Sequence, residues 1–412
     1  MLNIEFIRNN LELVEKSCQM RGADFDSREF LEIDKKKRAT NTLIDELRHQ
    51  KNKLSQNKNL TPEEILQAKD LKEKIRALET KLKEFEESMD KLIGDLPNVL
   101  LSQVPPGKDD SSNKIIRRCG QRPNFDFNPR GHLDLGTELD VIDINRSAKV
   151  AGSRFGYIKS EMVLMQFALL NLVFKVATKF DFKPILPPVM IYPEWMGKMG
   201  YFDLKENNIY FIEKDNLNLV GTSEQSLAAM HQGEILENLP LRYIGYSTCF
   251  RREAGTYGRD LKGILRMHQF DKAELFSFCR PEESLKEHEL FLKIEEEIMR
   301  LLELPYQVVL LSAGDLSKPS AMTIDIETWL PAEDRYCETH SSSNCTHYQS
   351  YGLDIRYRNQ NGKTDYVHTI NGTALAMGRI LASILENYQN KDGSITVPKC
   401  LRRHVGFKRI SR

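Results

Sequence analysis

Residues 250–275, FRREAGTYGRDLKGILRMHQFDKAEL, contain the pattern that decides the fold of the larger part of this chain. Side chains alternate across a β-strand, so a strand over 264–278 has two contrasting faces. The apolar face, with Met267, Ala273 and Leu275, suits a protein core. The opposite face holds Arg266, His268, Phe270, Lys272 and Glu274. A glycine-bearing loop joins this strand to an earlier one, which predicts an antiparallel pair.

The two arginines after the first strand give the polar face two readings. By the same alternation Arg251 and Glu253 point to one side, whereas Arg252 points away. One reading is a solvated hairpin of mixed charge. The other is a ligand site, because guanidinium groups bind phosphate in a planar fork, Phe270 can stack on a nucleobase and Glu274 can hold an ammonium group. Together these groups indicate a nucleotide with an amino acid beside it.

Composition limits the class of protein. The 412 residues exceed what one core usually holds, so two domains are expected. The 59 basic and 59 acidic residues cancel, and a polyanion would therefore be bound by local patches rather than by net charge. Seven scattered cysteines, with no signal-peptide pattern, predict a reducing, cytoplasmic location. No apolar run approaches the ~20 residues of a membrane span, so no membrane partner is expected.

A long charged region, residues 31–90, has helical periodicity. A heptad seam is formed by Ala68, Leu71, Ile75, Leu78, Leu82, Phe85, Met89 and Leu92. A similar stripe on an earlier helix, over 31–57, is formed by Leu43, Leu47 and Leu54. Between the two helices, Thr61, Pro62 and Glu64 match the start of a helix with a capping box. The sequence therefore predicts one antiparallel helical hairpin.

Basic residues near the tip of this hairpin leave its role open. They are Arg48, Lys51, Lys53 and Lys58. Heptads most often serve dimerisation, with the surface charges facing water. A projecting hairpin with a basic tip can instead bind a long polyanion such as RNA.

The body beyond the hairpin mixes strands and helices without regular alternation. The stretch SQVPPGKDDSSN, residues 102–113, is typical of a linker. An apolar helix is predicted over 161–180, followed by the proline-broken strand ILPPVMI at 185–191. TIDIETWL, at 323–330, alternates like a strand. This order disfavours a doubly wound parallel sheet.

Two further patterns each have a structural and a functional reading. Residues 368–389 predict a strand that runs into a helix, with Asn371 and Thr373 at the helix start, where short polar side chains cap backbone donors. Arg379 would lie further along that helix, either as surface charge or as a phosphate ligand. The second pattern is the cluster of Cys337, His340, Cys345 and His347, which could be interpreted as a zinc site. Their spacing lacks the paired tight turns of zinc knuckles.

Four motifs resemble those of the seryl-tRNA synthetases of the bacterial and organellar, zinc-free type, and the similarity covers essentially the whole chain. The stretch at 250–275 resembles the second class II signature, and NGTALAMGRILASILEN, at 371–387, resembles the third. VGTSEQSL resembles the family's serine loop, and CETHSSSNCTHYQ resembles its metal and ATP strand. Four motifs in the right order are specific, whereas any one of them is not.

The resemblance implies an α+β protein. An N-terminal antiparallel helical hairpin, a coiled-coil arm for tRNA, would occupy 1–107, with a linker over 108–130. A class II catalytic domain, an antiparallel β-sheet flanked by helices, would occupy 131–412. A homodimer is implied, with an interface that includes the helix and strand around Pro187 and Pro188. The implied activity is that of a serine–tRNA ligase, which uses ATP and L-serine to form seryl-adenylate and passes serine to tRNA(Ser), with tRNA(Sec) as a second acceptor and no role for DNA.

The same resemblance implies which residues bind ATP. Arg251 would hold the α-phosphate and Arg379 the γ-phosphate, and these two would carry the catalysis. Glu253 would lie beside the adenine, Phe270 would stack on it, and Arg252 would stand at the mouth of the site. Mg²⁺ and phosphate would be coordinated by Glu338 and Ser341, with Thr339 and His340 in the same ATP-contacting strand.

The serine and tRNA sites are implied in the same way. The serine loop is formed by Thr222, Ser223 and Glu224, and the pocket is completed by Glu274, Asn371 and Thr373. The tRNA would be bound by the tip residues of the arm.

The chain also departs from the family at several positions. His340 stands where a small residue is usual, and Ser342 where cysteine is frequent. Tyr351 and Gly352 replace two arginines, which bears on local packing or on tRNA contacts. The alternative function is a catalytically silent relative that binds tRNA or a protein partner. Retention of the ATP and serine residues argues against it.

Overall fold

The computed structural model describes residues 1–56, 61–201, 208–253 and 263–412. Lys58, one of the predicted tip residues, therefore lies outside the described residues. The chain divides into two compact units, Met1–Pro97 and Asn98–Arg412. The first unit is helical, and the second combines helices with a largely antiparallel sheet.

The first unit contains the predicted hairpin. Its helices are α1 (Ile4–Asn9), α2 (Leu11–Arg21), α3 (Ser27–Ser55) and α4 (Pro62–Ile93). The α4 helix begins with the predicted capping box, in which Thr61 and Glu64 bond each other's backbone N–H groups. Every member of the predicted α4 seam is buried or half-buried. On α3 the stripe is shifted, because Ile44 is buried and Leu43 is exposed. At 1.5 Å per residue, α4 extends over ~48 Å.

A partly buried ion pair joins α1 to α3. The carboxylate of Asp34, a residue that is 1% exposed, accepts hydrogen bonds from Nε and Nη2 of Arg8, each at 2.7 Å. Arg38, one turn along α3, donates to the same carboxylate at 3.0 Å. The hydrogen bond from Arg8 holds the pKa of Asp34 below its ordinary value, so the buried carboxylate stays ionised.

The second unit holds the remaining elements. Its helices are α5 (His132–Glu138), α6 (Ile144–Ala151), α7 (Ser160–Thr178), α8 (Pro193–Lys198), α9 (Ser223–Ala229), α10 (Ser284–Leu301), α11 (Tyr348–Leu353), α12 (Met377–Asn387) and α13 (Arg402–Val405). Its strands are β1 (Lys114–Cys119), β2 (Ile142–Asp143), β3 (Tyr157–Ile158), β4 (Lys183–Ile185), β5 (Met190–Ile191), β6 (Phe211–Ile212), β7 (Leu217–Leu219), β8 (Ile235–Leu236), β9 (Leu241–Phe250), β10 (Gln269–Cys279), β11 (Tyr306–Leu310), β12 (Met322–Leu330), β13 (Arg335–Asn344), β14 (Arg356–Arg358), β15 (Thr364–Tyr366), β16 (His368–Ala376), β17 (Ile395–Thr396) and β18 (Arg409–Ile410).

One large sheet organises this unit. In the described part of the chain its strand order is β1-β11-β12-β13-β16-β10-β9-β4. All its neighbours pair antiparallel except β4, which runs parallel to β9 at one edge. The predicted pair of strands is thus β9 and β10, and β16 flanks β10 on its other side. The antiparallel catalytic sheet expected from the sequence is confirmed.

Helices cover both faces of the sheet, and β10 contributes apolar side chains to each face. Ala273 and Leu275 belong to the core formed with α7, α10 and α12. Phe276 and Phe278 belong to a second cluster, which includes residues of α8 and α9. Although α7 is long and apolar enough to suit a membrane span by length and composition, its buried side packs into the first core, as core helices do.

Three sequence-based boundaries differ from the structure. β10 begins at Gln269 rather than at 264, because Ile264 and Leu265 form a short turn buried in the core. Asn371 and Thr373 do not start a helix but lie in β16, since α12 begins only at Met377. Arg379 accordingly falls in the first turn of α12.

Part of the predicted linker also belongs to the sheet. The strand β1 lies within 108–130 and pairs with β11, with a register irregularity between Ile115 and Arg117. Proline, serine and charge dominate the stretch just before it, and they obscure the strand pattern in the sequence. This part of the linker is therefore an edge strand rather than connecting chain.

The Arg8–Asp34 pair provides a test of how the first unit is held together. Replacing Arg8 with Ala leaves the buried Asp34 carboxylate with Arg38 alone, and the cost lies between that of a surface pair and the several kcal/mol of a fully buried one. We expect a loss of ~2–4 kcal/mol in local stability, measured by amide hydrogen exchange of α1 and α3 in the full chain. Arg28→Ala, at an exposed arginine of α3, is the matched control. Equal exchange in the two variants would show that the ion pair contributes nothing.

Candidate active site

A polar cleft lies on the face of β10 that carries Phe270, Lys272 and Glu274. Six of the residues predicted to bind ATP line this cleft: Arg251, Glu253, Phe270, Glu338, Thr339 and Arg379. They come from the end of β9, the strands β10 and β13, and the start of α12. The sheet therefore brings together residues that are far apart in the sequence, as their motifs predict.

The residues that follow β9 are held in different directions. Arg251 donates from Nε to the Gly221 carbonyl at 3.2 Å, and its guanidinium lies 5.3 Å from the centre of the Phe270 ring. The Glu253 carboxylate accepts from Nε of Arg266 at 2.5 Å. Arg252 does not line the cleft. Its guanidinium lies instead over the ring of Tyr210, 5.9 Å from the centre, in agreement with the expectation that it points away.

An ion pair closes the far side of the cleft. Nη1 of Arg379 lies 3.0 Å from Oε1 of Glu338 and donates to the Glu338 carbonyl at 2.8 Å. Desolvation of the Glu338 carboxylate acts to raise its pKa. The positive charges of Arg379, Arg251 and Lys272 have the larger combined effect and hold that pKa below its ordinary value. The carboxylate is therefore ionised, and its side chain is still 47% exposed to a ligand.

The neighbours of Glu338 on β13 are placed differently. Thr339 lines the cleft, but its hydroxyl lies 2.7 Å from that of Thr328 in the interior. His340 is fully buried and does not line the cleft, and burial lowers its pKa to about 3. Ser341 is half-buried and lies opposite Asp325 of β12. The pairing of β12 with β13 shifts register between Ile326 and Glu327, opposite His340 and Glu338. The side chains of β13 therefore do not follow a simple alternation here.

Asp325 is a residue that the sequence analysis missed. It is 7% exposed, and its Oδ1 has no hydrogen-bond partner among the described residues. Burial, followed by the charge of Glu338, raises its pKa. The alternation of TIDIETWL could have revealed it, because Asp325 is a charged residue at a position between apolar ones.

The predicted serine residues form a second, buried group beside the cleft. Oε1 of Glu224, in the first turn of α9, accepts from Nδ2 of Asn371 at 2.8 Å and from Nε2 of Gln349 at 2.7 Å. Burial, and then Glu274, raises the pKa of Glu224 to about 7, against hydrogen bonds from Tyr201 and Gln349. Gln349 and Tyr201 are partners that the sequence analysis did not identify.

Ser223 and Glu274, two other predicted serine residues, contact different parts of the structure. Ser223 is buried, and its hydroxyl lies 2.7 Å from that of Ser247 on β9, so its side chain braces the sheet. Glu274 is 1% exposed and lies directly opposite Thr373 on β16. Its Oε2 is 2.6 Å from Nζ of Lys272, which also donates to the Thr222 hydroxyl at 3.3 Å. Burial raises the pKa of Glu274, and Lys272 opposes this shift.

The alternative zinc site is not assembled. Within the part of the chain that the structure describes, the one group of three or more metal-type side chains close enough to share an ion is His132, Glu333 and Glu386. Cys337, His340, Cys345 and His347 do not form such a group. Glu386 itself accepts hydrogen bonds from the backbone N–H groups of His132 and Ala332, which joins the end of α12 to the start of α5 and to the turn between β12 and β13.

The replacement of the family's second arginine by Gly352 has a packing reason. A Cβ atom on Gly352 would lie 2.0 Å from the carbonyl oxygen of Lys198, at the end of α8. No side chain fits there without a shift of the backbone. The neighbouring Tyr351 packs edge-on against Tyr366, with ring centres 5.1 Å apart. Gly352 thus lets α8 and α11 approach each other beside the Glu224 group.

Comparisons with known proteins agree with this geometry. The family model described as the seryl-tRNA synthetase N-terminal domain matches residues 1–100. The model of the tRNA synthetase class II core domain (G, H, P, S and T) matches residues 209–388. A serine–tRNA ligase of Dictyoglomus turgidum is 41% identical over 100% of this chain and 99% of its own length. One of Nitrosopumilus maritimus is 40% identical over 98% and 99%.

Solved structures give the same result. The seryl-tRNA synthetase of Pyrococcus horikoshii complexed with ATP aligns with a TM-score of 0.92 and 36% identity, over 100% of this chain and 99% of its own. The cytoplasmic serine–tRNA ligase of Naegleria fowleri in complex with AMP aligns with a TM-score of 0.87 and 28% identity, over the same shares of the two chains.

The pKa of Glu224 predicts a pH dependence of stability. The folded protein holds this proton more tightly than the unfolded chain, so its stability falls as pH rises from about 4.5 to about 7. Glu224→Gln has the same shape and no proton to lose. We therefore expect the stability of the variant, relative to the parent, to rise by ~1–3 kcal/mol between pH 5 and pH 8, measured by urea unfolding without substrates. Glu237→Gln, at an exposed site, is the control, and parallel pH profiles would contradict the shift.

Proposed function

The chain belongs to the seryl-tRNA synthetase family, and on that premise we propose the roles of its individual residues. The activity of the family is serine–tRNA ligation: ATP-dependent attachment of L-serine to tRNA(Ser). One observation carries the assignment to residues. Arg251, Phe270, Glu338 and Arg379 line one cleft, and Glu274 lies on the same strand face beside it.

For ATP, we assign the base to Phe270 and the phosphates to the two arginines. The Phe270 ring already has the Arg251 guanidinium near its face, so an adenine stacked there has its α-phosphate within reach of Arg251. Arg379 binds the γ-phosphate from the opposite wall, and Glu253 lies at the adenine end. Arg252 stands outside the cleft and is assigned no direct contact.

Mg²⁺ accompanies ATP as a cofactor, and the donor set here fits it. The Glu338 carboxylate is ionised and accessible, and Ser341 faces the buried carboxylate of Asp325. Carboxylate and hydroxyl oxygens suit a hard cation that keeps several waters. Glu338 and Ser341 would hold the ion, which when bound neutralises phosphate charge.

For serine, we assign the ammonium group to Glu274 and the surrounding hydroxyl and amide groups to its orientation. Thr222, the N-cap residue of α9, and Thr373 of β16 both lie beside Glu274. Glu224 and Asn371 form a hydrogen-bonded wall beside them. A site that pairs a substrate hydroxyl rejects alanine strongly, because its own polar groups are left unpaired, whereas threonine has to be excluded by steric clash.

The reaction then needs positioning and charge neutralisation rather than a protein nucleophile. A carboxylate oxygen of serine attacks the α-phosphorus of ATP, a new P–O bond forms, and the bond to the β-phosphate oxygen breaks to release pyrophosphate. A hydroxyl of the terminal adenosine of tRNA next attacks the carbonyl carbon of seryl-adenylate, an ester bond forms, the bond to the AMP oxygen breaks, and the hydroxyl proton is released to solvent. Arg251 and Arg379 stabilise the charge that the phosphates carry in the first step.

The arm is assigned to tRNA. Arg48 is exposed, yet its Nη2 lies 2.8 Å from Oε1 of Glu79 on the facing helix, so part of its charge is used within the hairpin. Lys53 is exposed and Lys51 half-buried, and both lie in the last turns of α3 near the tip. These two lysines are therefore the stronger candidates for phosphate contacts.

We assign the protein to the cytoplasm as a homodimer. None of the seven cysteines, all of which lie in the described ranges, forms a disulfide, which suits a reducing compartment. Leu164 and Phe167 of α7 are 51% and 58% exposed, and Leu186, directly after β4, is 77% exposed. Because α7 packs beside β4, these apolar side chains form the surface that a second copy would cover.

Replacing Glu274 with Gln tests the serine assignment. The substitution preserves shape and removes the charge that would pair with the ammonium group, and such pairs are worth ~2–5 kcal/mol. We expect kcat/KM for serine in ATP–pyrophosphate exchange to fall at least ~100-fold, with the cooperative unfolding transition retained. Glu237→Gln is the control. Exchange at the parent rate would remove Glu274 from the pocket, whereas only a parent protein without any exchange activity would favour the silent relative.

Reversing the charges at the tip tests the arm. Lys51→Glu with Lys53→Glu should weaken aminoacylation of tRNA and lower its salt dependence by about one to two in the log–log slope, because each lysine that no longer neutralises a phosphate lowers the slope by about one. Pyrophosphate exchange should stay unchanged, since neither lysine lines the cleft. The control is Lys81→Glu with Lys83→Glu, two exposed lysines of α4 far from the tip. An equal weakening of aminoacylation in the two double variants would mean that the tip has no special role.

A further inference from the structure

Lys272 places a cation on the very carboxylate that is assigned to the substrate. It is 8% exposed, and its Nζ is 2.6 Å from Oε2 of Glu274 and 3.3 Å from the Thr222 hydroxyl. The sequence analysis placed Lys272 on the polar face of β10 but assigned it no role in binding. Its ammonium group therefore makes the contacts that the ammonium group of serine is expected to make.

The position of Lys272 along β10 gives it a second neighbour. Phe270, Lys272 and Glu274 lie on one face at steps of two residues, which is ~7 Å per step. If Phe270 takes the adenine and Glu274 takes the serine ammonium, the groups between them are the α-phosphate and the serine carboxylate. Lys272 also lines the cleft together with Arg251 and Glu338. It thus stands beside the two anions that react.

We propose that Lys272 is a movable counter-ion, which serine displaces from Glu274 and which then pairs with the reacting α-phosphate and carboxylate. The proposal rests on the assignment of Glu274 to serine. Because Nζ of Lys272 already lies 2.6 Å from Oε2 of Glu274, a serine ammonium group that takes this oxygen has to displace the lysine, so the substrate and the lysine compete for it. The flexible four-carbon side chain lets the lysine turn to a new partner without movement of the strand.

The exchange couples the two substrates. Without nucleotide, serine has to take Glu274 from Lys272, and the displaced ammonium has no anionic partner of equal strength. With nucleotide bound, the α-phosphate provides that partner, so serine binds more tightly. The coupling is reciprocal, and ATP must bind more tightly by the same factor when serine is present.

A purely structural lysine would behave differently. If Lys272 stayed on Glu274 throughout and served to hold the shape of the pocket, its removal would weaken serine binding and turnover together. A movable lysine is a competitor of serine in the first binding step and a helper in the chemical step. Its removal therefore separates the two effects.

The test is Lys272→Met in the full chain, with serine binding measured by calorimetry alone and with the α,β-methylene analogue of ATP. The parent should bind serine at least tenfold more tightly with the analogue. In the variant this ratio should fall to near one, while the dissociation constant for serine alone stays within threefold of the parent or becomes tighter. The kcat of pyrophosphate exchange should fall at least 100-fold, and the KM for serine at saturating ATP should rise by no more than the coupling factor that is lost.

Three further variants make the result decisive. Lys272→Gln keeps a hydrogen-bond donor to Glu274 without a charge, should lose the coupling as well, and serves if the methionine variant does not fold. Lys286→Met, at an exposed lysine of α10, should keep the coupling. Coupling retained in both Lys272 variants, or tenfold weaker binding of serine alone in both, would overturn the proposal. Serine binding unchanged in Glu274→Gln would instead overturn the serine assignment on which it rests.

Discussion

The strict alternation of side chains along β10 is the constraint on which the second unit depends. The strand buries Ala273 and Leu275 on one face, and it presents Phe270, Lys272 and Glu274 on the other. A slip of one residue would exchange the two sets and put charges into the core. Pairing with β9 on one side and β16 on the other fixes the register, so the same hydrogen bonds that form the sheet also set the spacing of the site.

Most of the charged groups at the cleft are arranged in pairs, whereas Arg251 donates to the Gly221 carbonyl. Arg379 pairs with Glu338, Arg266 with Glu253, and Lys272 with Glu274, each within 3.0 Å. Buried charges are tolerated only when they are paired in this way. A charged substrate therefore binds by replacing one partner of a pair, and the pairing pattern of the protein determines where each charge of the substrate can go.

The sequence predicted those features that depend on local chemistry or on a whole motif. The capping box at Thr61 and the α4 seam are local, and both were confirmed. The placement of Asn371 failed, because periodicity does not mark where a buried strand passes into a helix. Gln349, Tyr201 and Asp325 were missed. The role of each depends on contacts with residues more than ten positions away in the sequence, and these contacts form only in the folded protein. Gly352 could not be explained before the approach of Lys198 was known.

The two edges of the large sheet are both unsuited to adding another strand. At one edge, Pro184 lies within β4 and has no N–H to donate, and Pro187 and Pro188 follow soon after. At the other, the irregularity in β1 interrupts the ladder, and Lys114, Arg117 and Arg118 add charge. Exposed edges are the usual starting points of aggregation, and these features block it. Among the described strands the sheet therefore ends at eight, and neither edge is a ready template on which further copies of the chain could assemble into a fibre.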